Sequence, residues 1–305
     1  MSYREGYELT EAYRSYLASI DEHHHTKGLS LIKLKELYKE LLKKGLHGLC
    51  FSIYEEGQKP GDLITEDQVR RRMKVLKPYV KWIRSFSCIE GNEFVPKIAK
   101  EFGIKTLVGA WIGNDRDKNK QELEALISLA KKGFVDIAAV GNEVLYRKDI
   151  SLEELKQHID YVKSAIPDDI PVGYVDAYYE FSAHPDLTEK CDVILSNCYP
   201  FWEGCPIDYS LAHMQQMYGQ ALRAGGNKKV IITETGWPSK GVSTGAADPS
   251  EINFLKYFIN TQLWFHKAGI ESFYFSSFDE NWKTGTEGDV GAYWGIWDKN
   301  ENLKF

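Results

Sequence analysis

Short apolar runs recur along the chain with amphipathic stretches between most of them, the sequence form of a repeated strand–helix unit. Eight runs read as strands: Gly48–Tyr54, Val80–Phe86, Lys105–Trp111, Val135–Val140, Pro171–Val175, Asp192–Cys198, Lys229–Thr233 and Ser272–Phe278. Helical periodicity fills Glu66–Leu76, Pro96–Phe102, Lys120–Lys132, Leu152–Ala165, Leu211–Ala224 and Pro249–Lys267. Ser151 with Glu154, and Thr65 with Gln68, have the spacing of a capping box, and Pro96 and Pro249 suit first-turn positions. Eight such units predict an α/β fold, a single (β/α)8 TIM barrel over residues 45–305. Residues 1–44 form an N-terminal segment whose helical stretch, Leu31–Leu42, is expected to cap the barrel by covering its floor. Nothing resembling a linker or an internal repeat suggests a second domain.

Composition narrows the class. Hydrophobic residues make up 43% and charged residues 27%, and no apolar run reaches the roughly 20 residues of a membrane span. The net charge of −6 leaves no basic face for a phosphate backbone, so nucleic acid is not an expected partner and an uncharged substrate fits better. Eight Trp and eighteen Tyr supply flat rings, each of which packs a core or stacks on a sugar according to its position. The five cysteines match no zinc pattern and read as free buried thiols, in a fold that does not depend on disulfides. The first residues lack a signal-peptide layout, which leaves two readings of compartment: retention in the cell, or a signal already removed.

The chemistry lies at two strand ends. Glu143 closes the fourth run in Gly141-Asn142-Glu143, and Glu234 closes the seventh in Thr233-Glu234-Thr235-Gly236-Trp237-Pro238. They are about 90 residues apart, or three units of about 30, as an eightfold barrel requires. Barrel enzymes keep their active sites at the C-terminal ends of the strands, so both carboxylates are expected in one cleft. Two facing carboxylates suit glycosidic bond cleavage, in which one protonates the leaving oxygen and the other attacks the anomeric carbon or activates water. A separation of roughly 5–5.5 Å is expected for the direct attack.

Gly-Asn-Glu on the fourth strand with Thr-Glu-Thr-Gly-Trp-Pro on the seventh resembles glycoside hydrolase family 17, the β-1,3-glucanases and β-1,3-glucan transglycosylases. The resemblance runs from about Gly48 to Trp297. It implies that Glu143 is the acid/base, Glu234 the nucleophile of a retaining double displacement, and Asn142 the ligand of the sugar 2-hydroxyl. Asn197-Cys198-Tyr199-Pro200-Phe201-Trp202 also resembles the family's pattern, with Tyr199 steadying the nucleophile. So does Phe278-Asp279-Glu280-Asn281-Trp282-Lys283, with Glu280 and Lys283 in the cleft's polar network. Phe51-Ser52-Ile53-Tyr54 and the presence of Trp282 resemble microbial members rather than plant ones. The substrate implied is a laminarin-type β-glucan, polysaccharide or oligosaccharide, cleaved without metal or cofactor.

The residues alone leave several roles open. Tyr54, Tyr199, Phe201, Trp202, Trp237 and Trp282 are candidates to bind sugar, with rim packing as the other reading. Arg84 on the second strand either binds substrate or carboxylate, or forms a structural salt bridge. His23-His24-His25 reads as a solvated loop rather than a metal tract. Rival functions are transglycosylation by the same residues, another β-glucan linkage, and a carbohydrate-binding protein that has lost activity.

Overall fold

The computed structural model describes residues 25–305; His23 and His24 lie outside them, and His25 is exposed in a turn. Eight parallel strands close into one barrel, in sequence order around the ring. They are β1 (Leu46–Cys50), β2 (Val80–Ser85), β3 (Lys105–Ala110), β4 (Ile137–Asn142), β5 (Val172–Ala177), β6 (Val193–Asn197), β7 (Lys229–Thr235) and β8 (Ser272–Tyr274). From β3 to β7 nearly every strand residue is buried, because the barrel interior lies on one side and helices on the other.

The helices, in chain order, are α1 (Leu31–Lys44), α2 (Glu66–Leu76), α3 (Phe94–Glu101), α4 (Arg116–Lys131), α5 (Val144–Arg147), α6 (Leu152–Ala165), α7 (Glu180–Ala183), α8 (Pro185–Lys190), α9 (Ser210–Gly225), α10 (Glu251–Ala268) and α11 (Thr284–Glu287). Both predicted caps form on their backbone side: Ser151 accepts from the Glu154 N–H and Thr65 from the Gln68 N–H. The reciprocal half of each box is replaced. Glu154 pairs with Arg116, and the Gln68 amide donates to the Ile53 carbonyl, where it fastens the loop after β1. Ser250 caps α10, so Pro249 lies just outside the helix rather than in its first turn.

The helix predicted over Leu31–Leu42 is present as α1, but it lies on the outer wall rather than across the floor. Its buried face carries Leu34, Tyr38, Leu41 and Leu42. Tyr38 meets Phe254 and Phe258 of α10 edge-on and donates to the Ile296 carbonyl, while Lys35 pairs with Glu251 at the start of α10. No long helix follows β8, and α1 covers that stretch of wall with the apolar stripe its sequence presents.

Strand ends differ from the pattern where the backbone turns toward the cleft. β1 stops at Cys50 because Phe51–Tyr54 leaves the sheet, and the buried Arg72 guanidinium donates to the Ser52 and Tyr54 carbonyls there. β4 and β7 run further than predicted, to Asn142 and Thr235, and place the catalytic candidates inside or directly after regular strand. All five cysteines are free and buried, as expected.

An ionic cluster closes the barrel floor. Glu271, just before β8, lies 2.6 Å from Lys229 and 3.5 Å from His47. The nearby His47 ring first, and then Lys229, acting against partial burial, lower its carboxyl to about 2. A depressed acid adds stability above its ordinary range and loses it as pH falls through the folded value. Glu271→Gln should therefore cost about 1 kcal/mol near neutrality, a figure reduced for solvent exposure. Urea denaturation at a series of pH values should show the difference from wild type closing between about pH 4.5 and 2.

Candidate active site

The C-terminal ends of the strands open into a cleft of about 450 Å³. Glu143 follows β4 directly and takes a left-handed backbone conformation, φ 53° and ψ 32°, which aims its side chain out of the strand direction. Its N–H still donates to the Val175 carbonyl of β5, at 2.8 Å. Glu234 sits within β7 and is 6% exposed.

Asn197, the last residue of β6, joins the two. Its carbonyl accepts from the Thr233 hydroxyl at 2.8 Å, which orients the amide. Its Nδ2 then donates to Glu143 Oε1 at 2.8 Å and to Glu234 Oε1 at 3.2 Å, so those two oxygens are no more than about 6 Å apart. That limit on one oxygen pair admits the retaining separation of roughly 5–5.5 Å.

Glu234 has further donors. Arg84 Nη1 reaches Oε1 at 2.6 Å and the Tyr199 hydroxyl reaches Oε2 at 2.9 Å. Together with Asn197 they offset the cost of burying a carboxylate. Arg84 Nη2 donates to Asn142 Oδ1 at 2.7 Å, so the part of that amide left to meet a ligand is its NH2. Arg84 is itself buried beneath the cleft and lies over the Phe86 ring at 4.2 Å. Burial opposes its charge, but Glu234 outweighs that and raises its pKa.

The loop after β8 contributes a second ion pair. Lys283 lies 2.6 Å from Glu280, whose other oxygen accepts from the Tyr54 N–H, and the Lys283 ammonium sits 4.2 Å from the Phe275 ring. Tyr54, Asn142, Tyr199, Trp202, Glu280, Trp282 and Lys283 all line the cleft with the two glutamates. Arg84 lies beneath it, and two further candidates do not line it. Trp237, expected as an aromatic wall, is fully buried against Phe201 and Tyr257, and its indole N–H donates to the Asp248 carbonyl. Phe201 is equally buried among Trp202, Trp237 and Trp294. Both rings pack the layer behind the cleft wall.

Sequence reasoning assigned no role to Asn197, although it opens the motif that contains Tyr199. It also passed over Trp111, which lines the cleft with its ring 37% exposed and the Arg147 guanidinium 4.5 Å above it. The apolar run through Trp111 hid the end of β3 one residue earlier. Glu287 lines the cleft too; burial lifts its carboxyl to about 7, Lys283 opposing the rise and Glu234 adding to it. Among the described residues no cluster of His, Cys, Asp and Glu could hold a metal ion, and no helix is long and apolar enough to cross a membrane.

The model of the BtgE/BtgC glycoside hydrolase domain matches residues 48–295. The chain belongs to this family, within glycoside hydrolase family 17. It is therefore a glycoside hydrolase by family, and the barrel is the family's scaffold. A glucan 1,3-β-glucosidase of Schizosaccharomyces pombe is 29% identical over 252 residues, covering 76% of this chain and 78% of that protein. A probable glucan endo-1,3-β-glucosidase of Aspergillus fumigatus is 29% identical over 279 residues, which is 79% of this chain but 39% of the longer relative. Among solved structures, the family 17 β-1,3-glucanosyltransferase of Rhizomucor miehei superposes with a TM-score of 0.77 at 29% identity. That match covers 86% of this chain and 96% of the other, and an active-site mutant of the Rhizomucor enzyme has been solved with laminaritriose. A β-glucuronidase of Bacteroides uniformis, TM-score 0.65 at 16% identity, shares the fold alone.

Proposed function

We propose that this family 17 enzyme cleaves β-1,3-glucan with retention of configuration, Glu234 acting as nucleophile and Glu143 as acid/base. The observation that carries the reading is the single Asn197 amide donating to both carboxylates, which holds one oxygen of each within about 6 Å of the other and favours the close retaining pair. The names of the relatives support the β-1,3-linkage.

In the first step a Glu234 oxygen attacks the anomeric carbon while Glu143 protonates the departing glycosidic oxygen. Arg84, Asn197 and Tyr199 hold the attacking carboxylate in place, and Asn142 offers its NH2 to the 2-hydroxyl, where hydrogen bonding strengthens toward the transition state. In the second step Glu143 takes a proton from water, which releases the sugar from Glu234. Glu280, Lys283, Tyr54 and Trp282 shape the cleft wall beside the reacting sugar. A sugar hydroxyl replacing water in the second step gives transglycosylation, a reading favoured by the match to the Rhizomucor glucanosyltransferase over nearly its whole length.

Proton NMR of the first products from laminaripentaose tests both. The β-anomer should form before mutarotation, and initial α-anomer would overturn the retaining reading. Products longer than the substrate would establish transfer, whereas shorter products alone would establish hydrolysis.

A further inference from the structure

The acid/base candidate stands on an unfavourable backbone. Glu143 is a non-glycine residue at positive φ, a strained conformation that persists only where its surroundings over-determine it. The turn it begins, α5, is one helical turn long and cannot hold itself. Arg147 ties its end to the Asn142 and Ile112 carbonyls, and β5 holds its start. Val175 accepts from the Glu143 N–H, and the Tyr174 hydroxyl accepts from the Leu145 N–H at 3.0 Å.

The same hydroxyl donates to Asp176 Oδ2 in a close contact, and Asp176 Oδ1 accepts from the Ala177 N–H at 2.7 Å. Tyr174 and Asp176 are both completely buried, so neither is a ligand for sugar. Burial, with the nearby Glu143 carboxyl as the next cause, holds the Asp176 carboxyl well above its usual range. Gly141, two residues before Glu143, is also at positive φ, and a Cβ there would come 2.6 Å from Val144 and 3.5 Å from the Tyr174 ring. The β4 end, the α5 turn and Tyr174 are thus packed as one unit around Glu143.

We propose that Tyr174 and Asp176 are positioning residues for Glu143: Asp176 orients the Tyr174 hydroxyl, which fixes the Leu145 amide and so the direction of the Glu143 carboxyl. The inference rests on Glu143 being the acid. In the first step a misplaced acid matters only when the leaving group needs a proton, and an error of about 1 Å can cost on the order of 100-fold; kcat/KM reports that step alone.

The test compares a laminari-oligosaccharide with a dinitrophenyl β-laminaribioside, whose leaving group departs unprotonated. Tyr174→Phe should lower kcat/KM on the oligosaccharide by about 10–100-fold, and the loss of kcat/KM on the activated substrate, which forms the glycosyl-enzyme without a proton donor, should be smaller by an order of magnitude. Asp176→Ala should show the same split, and Asp176→Asn, which keeps a carbonyl acceptor, should recover most of the loss. This pair carries the test if Tyr174→Phe fails to fold. Equal losses of kcat/KM on both substrates would overturn the proposal, as would wild-type kcat/KM on the oligosaccharide. Glu143→Gln, run alongside, separates the two levels. A split there without one in Tyr174→Phe or Asp176→Ala removes only the positioning role. Equal losses of kcat/KM in Glu143→Gln would overturn the acid assignment and this inference with it.

Discussion

Glu143→Ala should lose about 10²–10⁴-fold of its kcat on laminari-oligosaccharides, the contribution of a general acid–base group. Azide should restore part of the activity on an aryl glycoside with a good leaving group. The reasoning follows from the geometry: Glu234 keeps Arg84, Asn197 and Tyr199 and can still form the glycosyl-enzyme. Azide then enters the space left by Glu143 and attacks from the β face, so the product is a β-glycosyl azide. Glu234→Ala should lose more, on the order of 10⁴-fold or above, because no covalent intermediate forms. Azide rescue there gives the α product. Product stereochemistry by NMR decides the matter, and the opposite assignment of α and β to the two variants would exchange the roles of the two glutamates.

Arg84→Met should damage both activity and stability. The guanidinium bridges Glu234 and Asn142 with one fork, at 2.6 and 2.7 Å, from a side chain 2% exposed. Removing one member of a buried pair leaves the other charged and poorly compensated, at a cost of about 3–5 kcal/mol. The double variant Arg84→Met with Glu234→Gln should recover a large part of that cost, since the stranded carboxylate is gone. Urea denaturation of the two single variants and the double variant gives the coupling. Additive losses would show that Arg84 acts through packing on Phe86 rather than through charge. Arg84→Lys should fold but fall well short of wild-type kcat, because an ammonium cannot span both partners.

The strand–helix alternation was sufficient to expose the barrel and to place both glutamates at its catalytic end, since each element's pattern is written in its own residues. Errors fell at the ends of elements. Phe51–Tyr54 is as apolar as the strand before it, yet it leaves the sheet where Arg72 takes its carbonyls. Asn142 and Glu234 are polar and look like loop, yet they remain in strand because partners across the barrel satisfy them. The short turns α5, α7 and α8 have too few residues to show a period, and none was legible.

Motifs singled out the candidates for the chemistry, but not which side of the wall each ring would occupy. Trp237 lies three residues from Glu234 and still packs behind the cleft, while Trp111, in no motif, faces into it. By itself the sequence determined the barrel, the two carboxylates and their placement on β4 and β7, because hydrophobic periodicity and strand-end polarity are local. Closure of the barrel decided the rest. It brought Arg84 of β2, Asn197 of β6 and Glu234 of β7 within hydrogen-bonding distance across as many as 150 positions of chain, and such contacts depend on register and barrel closure rather than on any neighbouring residue.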